Sequence, residues 1–549
     1  MLEDLDLSSI ADERARQLVQ QLLNVLEEVM ADLRAAQAEN QRLRDELNRL
    51  KGEQGAPAIK ANTPQPPPKD HSSEQERRKP KTWSKDRKTD RIALDREQVV
   101  QVDPTHLPPD AVFKGYEDVV VQDVIFRTDN VLFHKEKFYS PSQHTTSLAA
   151  LPQGYSGQCG PGLKSLALVL YCGAQMSEPK LAELLRSVGV QISDGQVSNL
   201  LIKGQEPFHA EKAALYQAGL ASSPWQHLDD TSTRVNGQNG YCHIVCNPLY
   251  TAYFTTAAKD RRTIIDVLTN HRPRRFLVNA EALGFMAVCG LSAVRRQQVE
   301  QLPSGTIMDE ATMQALLEEY LPGVGPQQRK WILDATAVAA YHADVEGPVV
   351  RLLVCDDAPQ FTLVTEELAL CWVHEGRHYK KLLPAIPYHQ ALLEAFVQRF
   401  WTYYDQLLAY REQPTPEEAT RLAGEFETLF ATVTGYRALD ERITKTRAKK
   451  NCLLMGLVHP EIPLHNNPAE LGARARVRKR DVSFGPRTRE GATAWDTFMT
   501  LAVTATKLGV SFYHYIHDRV SGAFQMPSLA SLIAERAKVL HLGASWDTS

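Results

Sequence analysis

The first fifty residues carry apolar side chains at alternating steps of three and four, with one polar member. This seam runs through Val19, Leu22, Leu26, Val29, Leu33, Ala36, Asn40, Leu43, Leu47 and Leu50. Because the heptad period is sustained over about five repeats, it favours a coiled coil over its alternative, a single amphipathic helix packed on its own protein. Asn40 falls at an a position, where a buried amide favours a parallel dimer. We therefore predict a homodimer formed through residues 1–51.

The pattern changes twice before residue 150. Residues 52–91 are rich in Pro, Lys, Ser and Gln and bury too little apolar surface to fold, which predicts a flexible basic linker. Residues 92–150 contain the partly alternating segment DVVVQDVIFRTDNVLF, which predicts strands and a small β-rich module.

Residues 151–215 are predicted to be helical, and two of the helices are separated by a short turn at Gly189. Ser193 is a candidate N-cap for the second of them. A helix-turn-helix would direct Asp194, Gln196 and Asn199 toward a DNA major groove. Two packed helices with no DNA role have nearly the same sequence pattern, so both interpretations stay open.

From Trp225 the pattern becomes mixed, which predicts an α/β domain over residues 216–522. The strand-like segments HLDDTSTRVNG, YCHIVCN and YTAYFTTAAKD precede a helix, as at the start of a ribonuclease H-like fold. The segment VVRLLVCDD predicts a further buried strand. Two helical insertions and a C-terminal tail are predicted at about 276–346, 386–450 and 523–549.

Composition and charge limit the functional classes. No run of about 18 apolar residues occurs, and the segment MLEDLDLSSIADER is acidic, so we expect no membrane span or export signal and a cytoplasmic, nucleoid-associated protein. Eight cysteines without a CxxC pair argue against a disulfide framework and a zinc ribbon. The formal net charge is -4, yet the region from Arg442 to Arg489 is densely basic and would attract a polyanion.

Two pairs of adjacent acids follow predicted strands, Asp229 with Asp230 and Asp356 with Asp357. A buried carboxylate is costly unless it meets a cation or hydrogen-bond donors, which favours a cation-binding role. Neighbouring side chains on a strand point to opposite faces, so within each pair either residue is a candidate.

Glu470 is a third candidate acid, and it has a structural alternative. Asn467 and Pro468 are typical of a helix start, so Glu470 is either a ligand or the glutamate of a capping box.

A second candidate metal cluster comprises Cys371, His374 and His378, spaced to lie near one face of a predicted helix. Zinc would need a fourth ligand, and the sequence offers none that can be located. Helical Cys and His are common as core or DNA-facing residues, and we prefer that interpretation.

Several of these segments resemble the insertion-sequence-66 transposases. The similar motifs are HLDDTSTRVNG, VCDDAPQF with LCWVHEGRHYKKLLP, and HNNPAELGARARVRKRDVSFGPRTREGATAWDTF, and the resemblance extends from the coiled coil to about Gly522. It implies a ribonuclease H-like DDE nuclease in which Asp229, Asp356 and Glu470 are the catalytic and metal-binding residues. Two Mg²⁺ ions are implied, for which Mn²⁺ could substitute. Zinc is not expected, because residues 92–139 lack the cysteines of the zinc module that family members often carry.

The resemblance implies a multidomain α+β protein with an N-terminal coiled coil, a helix-turn-helix DNA-binding region and a ribonuclease H-like catalytic core with helical insertions. The implied activity is metal-dependent DNA cleavage at transposon ends and strand transfer into target DNA. The expected partners are double-stranded DNA, a second copy of the chain and accessory proteins of the same element. The expected DNA-binding residues are Arg474, Arg476, Arg478, Lys479, Arg480, Lys449, Lys450, Gln196 and Asn199. The alternatives are a catalytically inactive, transposase-derived DNA-binding protein and a coiled-coil scaffold.

Overall fold

The computed structural model describes residues 7, 10–50, 92–103, 107–108, 111–155 and 157–546, so the predicted linker lies outside the described residues. The elements before the central sheet are α1 (Glu13–Leu50), β1 (Lys137–Ser140), β2 (Thr145–Leu148), α2 (Pro161–Leu168), α3 (Glu178–Ser187), α4 (Asp194–Ile202) and α5 (Glu206–Ala221). The next elements are β3 (Trp225–Val235), β4 (Gln238–Asn247), β5 (Tyr250–Thr256) and α6 (Arg261–Leu268).

A mainly helical segment separates these strands from the rest of the central sheet. It contains β6 (Arg275–Leu277), α7 (Ala280–Val288), α8 (Ala293–Glu300), β7 (Ile307–Asp309), α9 (Glu310–Tyr320) and α10 (Pro326–His342). The sheet then continues with β8 (Leu352–Cys355) and β9 (Glu367–Leu370).

Helices make up the remainder of the described chain. They are α11 (Trp372–Lys380), α12 (Pro387–Glu412), α13 (Pro416–Phe430), α14 (Arg437–Arg447), α15 (Lys450–Leu453), α16 (Met455–Val458), α17 (Asn467–Ser483), α18 (Arg489–Lys507), α19 (Phe512–Ser521) and α20 (Leu529–Leu540). The described part contains no helix with the length and apolar character needed to cross a membrane.

The central sheet has five strands in the order β5-β4-β3-β8-β9. The β3–β4 and β4–β5 pairs are antiparallel, whereas β3–β8 and β8–β9 are parallel. The chain is therefore mixed α+β around a mixed sheet, which confirms the predicted fold class at that level. The three parallel strands end at the same edge of the sheet, so residues distant in sequence can meet there.

The strands predicted for residues 118–133 are wrong. In this part of the described chain, strand pairing is confined to the β1–β2 hairpin that follows. Val121 and Ile125 are 80% and 82% exposed, so neither a core nor a partner strand covers them. The cause is general, because an apolar pattern yields a strand only when another strand or a core accepts it.

The helix α1 docks on the helical segment after β9 through one face. Leu23 packs with Ile386 in a small apolar cluster, and Glu27 accepts hydrogen bonds from the backbone N–H groups of Ala385 and Ile386. The predicted seam lies on a neighbouring face, and most of its apolar members are exposed: Leu22, Leu26, Val29, Leu33, Leu43, Leu47 and Leu50. Packing on its own protein and an open seam therefore coexist on one helix.

A separate aromatic core supports the helices inserted after β9. Trp372 at the start of α11 is fully buried, and its indole N–H donates to the backbone oxygen of Leu453 at 2.7 Å. Phe400 and Phe426 pack near its ring. This core holds α11 at the end of β9, beside the edge where the parallel strands terminate.

Candidate active site

A cavity of about 280 Å³ opens at the edge where β3 and β8 end. Three carboxylates from distant segments line it: Asp229 in β3, Asp356 directly after β8, and Glu470 in α17. The other lining residues include Asp230, Thr231, Cys371, His374, Arg377, Asn466 and Arg474. The structure thus brings together the three acids that the sequence predicted as one site.

The strand register accounts for the proximity of the two aspartates. In the parallel β3–β8 pair, Trp225 lies opposite Leu352 and His227 opposite Val354. Continuing this register by two residues puts Asp229 beside Asp356. Pairing between strands therefore fixes two of the three carboxylates.

Asn466 and the close packing of α17 on the sheet set the position of Glu470. The Asn466 side-chain N–H donates to the backbone oxygen of Leu228 at 2.8 Å, and its oxygen lies 3.0 Å from His227 Nδ1. At Gly472, an added Cβ would lie 2.8 Å from a side-chain carbon of Ile244, so only glycine allows the helix to approach so closely. Together these contacts place the first two turns of α17 against β3 and β4.

The capping-box alternative for Glu470 is wrong. Helix α17 begins at Asn467 with Asn466 as its N-cap, and the Asn466 side chain makes no capping hydrogen bond. The Glu470 carboxylate instead accepts two hydrogen bonds from Arg377, at 2.9 and 3.2 Å, and lies 3.7 Å from Arg474. Glu470 therefore faces the cavity between two guanidinium groups.

The two acids of the first pair have different surroundings. Asp230 is paired with Lys259 at 3.1 Å and accepts a hydrogen bond from Gln360 at 2.8 Å. Asp229 accepts a hydrogen bond from the backbone N–H of Asp230. Burial, with further contributions from the negative charges of Asp356, Glu470 and Asp230, raises the pKa of Asp229 to about 7. A cation in the cavity would favour the ionised form of Asp229.

The second pair divides in a similar way. Burial raises the pKa of Asp356, while a hydrogen bond from the Ala358 N–H at 3.1 Å opposes the shift. Asp357 is outside the cavity lining and forms an ion pair with Lys449. Asp229 and Asp356 are therefore the members of their pairs in the less compensated environments.

The composition of this site fits a divalent cation with oxygen ligands. Three carboxylates converge, and burial together with like charges disfavours full ionisation of Asp229. Carboxylate oxygens are the ligands that Mg²⁺ and Mn²⁺ prefer. The residues that would hold such an ion are Asp229, Asp356 and Glu470.

Comparisons with known proteins identify the family of the chain. The sequence profile described as "Transposase IS66 family" matches residues 156–278, a range that contains Asp229. An uncharacterised protein of Sinorhizobium fredii, y4jO, is 31% identical over 332 residues, covering 59% of this chain and all of that protein. The chain belongs to the IS66 transposase family. Divalent-metal chemistry on DNA is the activity that this membership implies.

The basic helix of this IS66 family member has two distinct faces. Arg474 and Arg478 follow Glu470 at intervals of four residues and are exposed, so the three share the face that borders the cavity. The opposite face packs into the protein. The predicted DNA-binding residues of this helix therefore lie on two different faces, one exposed and one buried.

The prediction that Arg476 and Lys479 contact DNA is corrected by their burial, since each is 1% exposed. Arg476 donates to the Thr255 hydroxyl at 2.7 Å and is 3.2 Å from Asp496. Lys479 donates to two backbone oxygens and lies 3.3 Å above the Tyr171 ring. Both cations stabilise the packing of α17 rather than facing solvent.

Three other predicted DNA contacts already have partners within the chain. Lys449 is paired with Asp357 and Glu375, and Lys450 with Glu427. Arg480 donates to the backbone oxygen of Ser232. These cations are part-exposed, so their role in binding DNA stays a prediction.

The helix pair α3–α4 forms around the predicted turn at Gly189, and Ser193 is the N-cap of α4. Gln196 completes a capping box with Ser193 and also donates to Gln158 at 3.0 Å. Asn199 is exposed. The amide of Gln196 is thus held by internal hydrogen bonds, whereas Asn199 is open to solvent.

Sequence reasoning missed two residues that line the cavity, Arg377 and Asn466, and it assigned His374, which also lines it, to a separate candidate cluster. His374 and Arg377 are three residues apart on α11, a spacing that puts both on one helix face. The motif LCWVHEGRHYKKLLP contained that signal. The role of Asn466 depends on its contacts with β3, which no local pattern reveals.

Proposed function

We propose that this IS66 family member is a DDE transposase that cleaves DNA at transposon ends and transfers the cut strand to target DNA. Asp229, Asp356 and Glu470 are its catalytic carboxylates. The convergence of these three side chains in one cavity, from segments more than 100 residues apart, carries the proposal. The sheet order, with an antiparallel β3–β4–β5 unit followed by parallel β8 and β9, supports a ribonuclease H-like core.

Two Mg²⁺ ions are the cofactor, and Mn²⁺ substitutes for them. When bound, such ions activate the attacking oxygen and stabilise the departing 3′ oxygen. Asp229, Asp356 and Glu470 provide the oxygen ligands. The sheet register and the Asn466 contacts fix the backbone positions of these residues before any ion binds, whereas the Glu470 carboxylate would exchange its hydrogen bonds with Arg377 for the ion.

The reaction consists of two phosphodiester exchanges. Water first breaks a bond at the transposon end and leaves a free 3′-hydroxyl and a 5′-phosphate. That hydroxyl then attacks a target phosphodiester, forms the new bond and releases a target 3′-hydroxyl. Bond number is conserved in the second exchange, so neither ATP nor a covalent enzyme intermediate is required.

Cationic side chains near the cavity bind the DNA backbone. Arg474 is 63% exposed and borders the carboxylates, and Arg478 continues the same face. Phosphate contacts of this kind orient the strand without reading its sequence. Asn199 on α4 is the exposed candidate for base contacts.

Two copies of the chain act together through α1. The exposed part of the seam on this helix supports a parallel pair, since the docked face with Leu23 covers Val19 but leaves Leu22 and most later members of the seam exposed. A dimer would bring two active sites to the two ends of one element.

A cleavage and strand-transfer assay on DNA from the element's own ends tests this function. Mg²⁺- or Mn²⁺-dependent products are expected for the wild type and should fall at least a hundredfold in Asp229→Ala, Asp356→Ala and Glu470→Ala. Asp481→Asn, an exposed acid on the same helix as Glu470, is the matched control and should retain activity. DNA binding must persist in all four variants.

Two other results would contradict the proposed function. If wild-type protein binds the ends but cuts nothing, even with accessory proteins of the element, it is a DNA-binding relative without catalysis. If the three variants cut as well as wild type, the carboxylates have been assigned wrongly.

A further inference from the structure

A second cluster of metal-binding residues lies beside the carboxylate cavity. Asp357, His374 and His378 each offer one ligand atom, and these atoms all lie within 4.8 Å of one another. The two histidines are one turn apart on α11, and Asp357 follows β8. The cluster therefore joins the helix α11 to the loop that carries Asp356.

The orientation of the side chains supports convergence on one point. His378 Nε2 is 3.7 Å from Asp357 Oδ1, and the two imidazole rings have centroids 5.5 Å apart. His378 Nε2 is buried and, among the described residues, has no hydrogen-bond partner. A buried imidazole nitrogen without a partner is unfavourable unless a ligand completes it.

We propose that Asp357, His374 and His378 form a transition-metal site, for which Zn²⁺ is the best-suited ion. Two imidazoles and one carboxylate leave an open position for water, as three protein ligands do in open zinc sites. Imidazole ligands favour Zn²⁺ over Mg²⁺, whereas the all-carboxylate cavity favours Mg²⁺ and Mn²⁺. The two sites therefore differ in ligand type and in the ion that suits each of them best.

The distances allow metal binding after small rotations of the side chains. Zinc with ligands at about 2.0–2.1 Å in a tetrahedron separates the ligand atoms by roughly 3.3 Å. Asp357 and His378 are partly exposed at the surface, and the Asp357 oxygen nearest His378 is not the one paired with Lys449. Rotations of these side chains can shorten the present distances without moving the backbone.

Cys371 is not a member of this site. The sequence pattern grouped Cys371 with the two histidines and therefore did not identify the site correctly. The Cys371 sulphur accepts N–H groups from Asn466 at 3.2 Å and His374 at 3.4 Å. Burial raises the pKa of its thiol to about 11, so it stays protonated at neutral pH. Asp357, distant in sequence from the two histidines, takes the place that Cys371 was considered for.

The proposed site uses different residues from the catalytic carboxylates, so metal can bind there whether or not the protein is a transposase. A metal ion here would tie α11, which carries His374 and Arg377 of the cavity, to the loop after β8. The expected effect is a more stable cavity wall.

Binding of Co²⁺ to the untagged full-length protein, followed by visible absorption, tests the site, with Zn²⁺ as competitor. Among the Co²⁺ ions that wild-type protein binds, one should show the d–d bands of four- or five-coordination and be displaced by Zn²⁺. His378→Ala and Asp357→Asn should each weaken Co²⁺ binding at least tenfold. Glu470→Gln is the control from the carboxylate cavity and should bind Co²⁺ like wild type.

Folding of each variant is checked separately by circular dichroism and by the metal-free melting temperature. Zn²⁺ should raise the melting temperature of wild-type protein but not of folded His378→Ala. The proposal is overturned if wild-type protein binds neither ion, or if folded His378→Ala and Asp357→Asn bind Co²⁺ as tightly as wild type. It is also overturned if Glu470→Gln abolishes Co²⁺ binding, since the ion would then occupy the carboxylate cavity.

Discussion

At the scale of single residues, Asp229 and Asp230 are adjacent in sequence but differ in their charge environment. Asp229 has its pKa raised to about 7, whereas Asp230 is held by Lys259 and Gln360. An acid whose pKa is higher in the folded state than in the unfolded chain binds more protons when folded. The contribution of Asp229 to the free energy of unfolding is therefore fully present below pH 4, and it is lost as the pH rises toward and through 7.

We expect Asp229→Asn to raise the melting temperature of metal-free protein at pH 8 and to leave it nearly unchanged at pH 4.5. The reason is that the amide removes a buried negative charge that is present only at the higher pH. Asp230→Asn is the matched control and should give no such gain, because it breaks contacts with Lys259 and Gln360. Equal melting temperatures for wild type and Asp229→Asn at pH 8 would contradict the assigned environment of Asp229.

Arg476 and Arg478 lie two residues apart on α17 and should behave in opposite ways. Arg476→Met leaves Asp496 buried without its partner and should lower the free energy of unfolding by about 3–5 kcal/mol. Arg478→Ala should leave stability within about 0.5 kcal/mol of wild type, because the side chain is exposed. Urea unfolding measures both.

Binding of DNA separates the same two variants. Arg478→Ala should weaken binding and reduce the slope of log affinity against log salt concentration by about one unit. Folded Arg476→Met should keep the wild-type slope. A reduced slope for Arg476→Met alone would show that the buried face of α17 contacts DNA.

The candidate acids were predictable from sequence, but their surroundings were not. The two aspartate pairs stand out because an acid after a buried strand is costly unless it is compensated, whereas the choice of Asp229, Asp356 and Glu470 came from the family resemblance. Whether Arg476 faces DNA or the core depends on which side of α17 packs against the sheet. The amino-acid composition alone does not distinguish a buried arginine from an exposed one.

At the scale of elements, helix α1 combines two interfaces. Leu23 and Glu27 dock it to the helices after β9, and the heptad seam remains on another face. The heptad period predicted the seam, whereas the docking face carried too few apolar residues to stand out. When a helix has two interfaces, the one with the more regular apolar pattern is the one that the sequence predicts.

Replacing Leu43 and Leu47 of the seam with glutamate should convert dimers to monomers while leaving the monomer folded, because both side chains are exposed within one copy. Analytical ultracentrifugation gives the mass, and circular dichroism gives the fold. The control Leu23→Ala should lower the melting temperature but keep the dimer. If wild-type protein is monomeric at all concentrations, the seam has another role.

The strands expected at residues 118–133 illustrate the limit of local patterns. Their apolar residues are present, but Val121 and Ile125 remain exposed and unpaired with any described strand. The central sheet formed as expected because each of its strands pairs with a neighbouring strand. Partners distant in sequence decide which candidate strands pair.

At the scale of the whole molecule, three distant segments supply the ligands of the proposed cation site. Strand β3, the end of β8 and the start of α17 are brought together by the parallel register and by Asn466. The insertions between them add helices without separating these acids. The family resemblance implied the triad, and its geometry follows from the sheet order.

The most direct test of this claim is Mn²⁺ binding at pH 8, followed by electron paramagnetic resonance of the free ion. We predict that Asp229→Asn, Asp356→Asn and Glu470→Gln each weaken binding at least tenfold, while Asp481→Asn binds like wild type. This result would mean that three distant carboxylates hold the same ion. If the three variants bind Mn²⁺ as tightly as wild type, the carboxylates do not form one cation site, and the proposed mechanism is wrong.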